Sequence, residues 1–106
     1  MRQTVPGMSE LAVEAELEYQ SRIRGAKRLA YPPVVAGGAR ANTLHYVQND
    51  MLLEDGTLVL VDAGAELFNY ASGERRFFAR AGNHLIDFRL PPLFSLPFLL
   101  FPCHLP

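Results

Sequence analysis

Asp55-Gly56-Thr57-Leu58-Val59-Leu60-Val61-Asp62-Ala63-Gly64 is the stretch on which the fold turns. Its centre is a short apolar run rich in Val and Leu, too short for an ordinary helix, and it reads as a strand buried on both faces. Asp55-Gly56 is a turn signal before it, and Ala63-Gly64 makes a sharp exit after it. Asp62 is the informative residue. A carboxylate at the end of a buried strand is costly unless it is paired, hydrogen-bonded or bound to a metal. Strand alternation places it on the same face as Leu60 and Leu58. A turn or helix-cap acid beside Gly64 explains the residue equally well, because Asp commonly bonds its own backbone in turns.

Upstream, Pro6-Gly7 reads as a turn and Ser9 as a helix N-cap. Glu10, Glu14 and Glu16 near the start and Arg22, Arg24 and Lys27 near the end suit the helix dipole. Ala12, Ala15, Tyr19 and Ile23 follow helical spacing and predict the buried stripe, and Gly25 predicts a left-handed stop. These signals predict a helix over residues 9–24. In Tyr31-Pro32-Pro33-Val34-Val35-Ala36-Gly37-Gly38 the paired prolines exclude a helix interior. The two valines suit a short extended segment that ends at the glycines. Residues 43–47 read as another short strand or a turn. One helix followed by strands gives a mixed α/β (α+β) class.

The sequence has 106 residues and a net charge of −1, which suits one small domain and shows no global field for nucleic acid or an anionic membrane. Cys103 is the only cysteine, so an internal disulfide is excluded. The first seven residues show no apolar h-region, which argues against a secretory signal. Residues 1–72 carry a net charge of −3 and residues 73–106 a net of +2, and five of the eight prolines fall in the second part. A boundary is therefore expected at Ser72-Gly73. Residues 73–83 show no clean period. Residues 90–106 are very apolar but broken by Pro91, Pro92, Pro97, Pro102 and Pro106, and too short for a span of about 20 apolar residues. The whole of 73–106 is expected to be a largely irregular, Pro-rich tail.

His45 is a lone histidine among apolar neighbours, which by its chemistry alone favours a structural role. Gly37-Gly38 match no phosphate-loop pattern. His84, Cys103 and His104 lack the spacing of metal ligands.

Taken together, residues 30–38, then Asn42-Thr43-Leu44-His45-Tyr46, Asn49, Asp55-Gly56 and Leu58-Val59-Leu60-Val61-Asp62-Ala63-Gly64 resemble the Xaa-Pro aminopeptidases, in the same order. The wording Tyr-Pro-Pro-Val-Val-Ala-Gly-Gly is nearest to the aminopeptidase P branch that includes mitochondrial and intermediate-cleaving members. The helix before it fits as well, so the resemblance covers roughly residues 6–72. It implies the pita-bread metallopeptidase fold and two metal ions, usually manganese, held by two Asp, one His and two Glu. The ions share a hydroxide that attacks the peptide carbonyl, and the substrate is a peptide with proline at its second position. Asp62 then matches the first ligand aspartate, and His45 a histidine that positions substrate. Family members occur in the cytoplasm and in mitochondria.

The resemblance stops where the chemistry would be completed. After Tyr70-Ala71-Ser72 the family places its second aspartate, usually in Asp-Ile-Thr-Arg-Thr, whereas this chain has Gly73-Glu74-Arg75-Arg76-Phe77. Glu74 is one residue out of register, and a one-residue slip turns a strand side chain to the opposite face. The expectation is a partial pita-bread catalytic domain over 6–72, truncated before most of the metal site and inactive, followed by an unrelated tail over 73–106. Strands without their later partners are expected to leave open edges. Two other readings compete with an enzyme: a non-catalytic fragment that pairs with an intact homologue, and a mispredicted gene product without function.

Overall fold

The computed structural model describes residues 3–81 and 84–89. The apolar Pro-rich stretch 90–106, with Cys103 and His104, lies outside the described residues.

Ser9 is extended (φ −76°, ψ 151°) and its side chain accepts the Ala12 N–H at 3.1 Å, which starts helix α1 at Glu10. The helix ends at Ile23, and Gly25 follows with φ +98°, the left-handed stop its position predicts. Its buried face is not the expected one. Val13 is buried and Leu17 packs against the same core, whereas Ala15 is exposed and Tyr19 and Ile23 are each 57% exposed. The helix carries two apolar stripes on opposite sides, and helical period alone cannot choose between them. The sheet takes the Val13–Leu17 side, which also turns Glu10 inward.

After a two-residue strand β1 (Arg28–Leu29), the Pro32-Pro33 pair leads into β2 (Val34–Gly37) and a 3-10 turn (Gly38–Asn42). Residues 43–47 form a turn rather than a strand. The apolar run becomes β3 (Leu58–Ala63), followed by β4 (Ala65–Leu67), β5 (Tyr70–Ala71), β6 (Glu74–Ala81) and β7 (His84–Arg89). One antiparallel sheet has the order β2-β3-β6-β7 and a smaller one the order β1-β4-β5. Phe68 and Asn69 both have positive φ (50° and 65°) and form the two-residue link of the β4–β5 hairpin.

Strand β3 is buried on both faces, as its composition predicts. Val59 and Val61 join Val13, Val35, Leu53 and Phe78 on the helix side. Leu60 joins Ala36 and Tyr46 on the other, with Phe77 against them. The expectation of irregular structure from Gly73 onward is corrected over 74–81 and 84–89. β6 pairs with β3 from Leu58↔Ala79 to Ala63↔Glu74, and β7 pairs with β6. Phe78, fully buried, belongs to the core. Alternation is hard to see in β6 because adjacent Arg75-Arg76 and Phe77-Phe78 put a charge and a ring on each face. Only the pairing with β3 assigns them.

The expectation of open edges is corrected at β2. The Asn49 side chain acts like a neighbouring peptide: its Oδ1 accepts the Val35 N–H at 3.0 Å and its Nδ2 donates to the Pro33 carbonyl at 2.9 Å. Glu10 Oε1 accepts the next outward N–H, that of Gly37, at 2.9 Å. Two side chains thus take up both outward N–H groups of β2 and the Pro33 carbonyl, which would otherwise invite another strand. Among the described residues no helix is long and apolar enough to cross a membrane.

The chain passes from one sheet to the other at Gly64. A Cβ there would lie 1.9 Å from the Ser72 carbonyl oxygen and 2.7 Å from Tyr31 Cε1. The oxygen belongs to backbone and cannot swing aside. Gly64→Ala is therefore expected to cost about 3 kcal/mol or more, read as a drop in the urea midpoint. An unchanged midpoint would show that β3 and β5 approach less closely than described.

Candidate functional site: the Asp62 corner

Asp62 lies at the end of β3, on the face that carries Leu60 and Tyr46. Its carboxylate is mostly buried and fully engaged by protein. The Tyr31 hydroxyl donates to Oδ1 at 2.6 Å, and Arg75 Nε and Nη2 each reach Oδ2 at 2.7 Å. The sequence explains the meeting. Pro32-Pro33 sets Tyr31 just ahead of β2, where glycine at 64 and 73 leaves room for its ring. Arg75 is the direct cross-strand partner of Asp62 in the β3–β6 register. Burial, and then the adjacent carboxylate, push the Tyr31 phenol well above its usual range, so it stays a donor. Arg75 is largely exposed, so solvent screens the pair and its contribution to stability is under about 1 kcal/mol.

Glu74 pairs with Arg76 at 2.6 Å and neighbours Arg75 along the strand, so its side chain leaves from the opposite face to Asp62. His45 sits in the turn after the 3-10 segment with φ +53°, its side chain exposed. Asp62 and His45 share a neighbourhood through Tyr46, which follows His45 and packs on Leu60.

The turn that carries His45 is held by a residue that sequence reasoning treated only as a dipole acid. Glu10 is fully buried, and its two oxygens accept from Gly37 N–H, Arg40 Nε, Tyr46 O–H and Met51 N–H at 2.9, 2.8, 2.7 and 3.3 Å. Burial pushes this carboxyl up, but the four donors outweigh it and hold it below its ordinary value. The same carboxylate and burial raise the Tyr46 phenol. Asn49, nearly fully buried with φ +47°, adds a bond to Glu14 at 2.8 Å. The polar run Gln48-Asn49-Asp50 and the place of Asn49 in the resemblance single that residue out, but neither names a partner for it or for Glu10.

The resemblance implies a pair of divalent ions beside Asp62, and the residues present do not fit them. Such a site needs several anionic oxygens converging on one space. Here both Asp62 oxygens face donors of the protein, position 73 has no side chain, and no group of three or more His, Cys, Asp and Glu gathers among the described residues.

Comparison with known proteins agrees with this architecture. The model of metallopeptidase family M24 matches residues 1–87. Xaa-Pro aminopeptidase 3 of Homo sapiens is 54% identical over 65 residues, which is 61% of this chain and 13% of that protein. The structure of Pseudomonas aeruginosa aminopeptidase PepP superposes with a TM-score of 0.73 at 47% identity, covering 76% of this chain and 18% of that one. Escherichia coli aminopeptidase P with the inhibitor Pro-Leu superposes with a TM-score of 0.74 at 36% identity, covering 76% and 18%. The chain thus spans under a fifth of the length of these relatives, and its helix and antiparallel sheets reproduce part of the pita-bread aminopeptidase fold. By both sequence and fold, the chain belongs to metallopeptidase family M24.

Proposed function

We propose that residues 6–72 form the opening part of an Xaa-Pro aminopeptidase catalytic domain. In the whole enzyme two metal ions, manganese by family habit, would activate water to cleave the bond before a proline at the second position. Asp62 stands at the first ligand aspartate and His45 at the substrate-positioning histidine. One observation carries the reading. Solved variants of the Escherichia coli enzyme replace a His and an Asp that lie 17 residues apart in its numbering, the separation of His45 and Asp62 here. A second replaced Asp follows 11 residues later, where this chain has Gly73. The first two positions are kept and the third is not, which supports a chain that does not hydrolyse peptides by itself.

The test is release of the N-terminal residue from an Xaa-Pro peptide by the purified chain, with and without manganese, beside an intact relative. No release is expected. Manganese-dependent release that disappears in Asp62→Ala would overturn the inactive reading.

A second reading has its own observation. Leu58 and Ile86, on the Asp62 face of the sheet, are 44% and 53% exposed. Such a face suits pairing with an intact homologue, and co-purification with that homologue, lost on Leu58→Lys, tests it.

A further inference from the structure

The proposed reading treats Asp62 as a metal-ligand position whose neighbouring acid, expected at 73, is a glycine. Left like that, it would be a partly buried anion at the end of a strand, and burying a charge without a partner is expensive. The structure supplies the partner from the neighbouring strand. Arg75 Nε and Nη2 both point at Oδ2, at 2.7 Å each, so the guanidinium meets the carboxylate with two of its donors rather than one. Tyr31 closes Oδ1 at 2.6 Å. In the register Arg75 lies directly opposite Asp62, and Arg76, next along, leaves on the other face to meet Glu74. The pair is thus fixed by strand pairing. Laid from position 73, the family's Asp-Ile-Thr-Arg-Thr puts its Arg on Arg76 and its first Thr on Arg75. Relative to that pattern the chain has lost an acid at 73 and gained a base at 75, two changes of the same electrostatic sign beside one carboxylate.

We propose that Arg75 is a built-in counter-ion for Asp62, a guanidinium held where a divalent cation would otherwise sit. The charge that balances Asp62 is then part of the chain, and this corner of the sheet keeps its form without metal. A cation approaching Oδ2 meets a like charge at contact distance and must also displace two hydrogen bonds. The inference rests on the reading of Asp62 as the family's first ligand position, and it adds that the position has been converted to an internal ion pair.

The experiment is a manganese titration of the full 106-residue chain, with free Mn2+ followed by electron paramagnetic resonance. Wild type is compared with Arg75→Thr, Arg75→Lys and the double variant Asp62→Asn/Arg75→Thr. Arg75→Thr is expected to bind manganese at least about tenfold more tightly than wild type, Arg75→Lys to stay near wild type because the charge remains, and the double variant to lose the gain. Equal binding by wild type and Arg75→Thr overturns the proposal and leaves the family position of Asp62 standing. A gain that survives in the double variant shows that Asp62 is not the ligand, and the positional reading fails with it. Should Arg75→Thr not fold, the Arg75 Nε–H resonance of the wild type decides. It is expected to stay put under excess Mg2+ and to move in Asp62→Asn, whereas displacement by Mg2+ overturns the proposal.

Discussion

Glu10→Ala is expected to leave most of the chain unfolded in dilute buffer. The substitution removes the acceptor for four donors at once: two backbone N–H groups, a phenol and a guanidinium. Breaking a buried charged pair by deleting one partner costs about 3–5 kcal/mol, and each stranded donor adds to that. Domains of this size hold only about 5–15 kcal/mol in total and sit low in that range. Urea unfolding followed by far-UV circular dichroism reads the loss, and a midpoint within error of wild type would show that the hub is dispensable. The pH dependence follows with a defined sign. The folded Glu10 carboxyl lies below its ordinary 4.5, so its stabilisation is complete above that value and is lost as pH falls below it. Glu10→Gln, which keeps the volume and one acceptor oxygen, is expected to be less stable at neutral pH and to show a flatter acid limb.

The second large effect is expected at Phe78. Its ring is fully buried among Val13, Val35, Leu53, Val59 and Val61. Phe78→Ala removes that burial and leaves a cavity between helix and sheet, at a cost of about 3–5 kcal/mol. The result bears on more than packing. Phe78 lies beyond the boundary expected at Ser72-Gly73 but inside the stretch that the family model matches. If the segment were an appendage, the main unfolding transition would keep its midpoint in Phe78→Ala. A single cooperative transition shifted to lower urea would show that β6 folds with β3 as one unit.

Against these effects the ion pair at Asp62 is weak in stability terms, because Arg75 is largely exposed. Its importance is local and electrostatic. The Asp62 carboxylate is balanced by the chain's own charge, and the turn that carries His45 is held by Glu10 through Arg40 and Tyr46. Neither device depends on an ion.

By itself the sequence determined the features that depend on a few neighbouring residues. Ser9 starts the helix because its oxygen can reach Ala12 N–H, and Gly25 stops it because it accepts positive φ. Residues 58–63 form a strand with a buried centre at 59–61, as a Val-Leu run between a turn and a glycine predicts. Asp62 stood out because an acid is costly at the end of such a run. Tertiary structure alone decided what two distant segments do when they meet. It chose between the two apolar stripes of α1, made the helix-dipole acid Glu10 a buried hub, and covered part of the β2 edge with Asn49. It also made strands of 74–81 and 84–89 and set Arg75 against Asp62. Each of these follows from sheet register, where a shift of one residue sends every side chain to the other face, and no local pattern in the chain encodes that register.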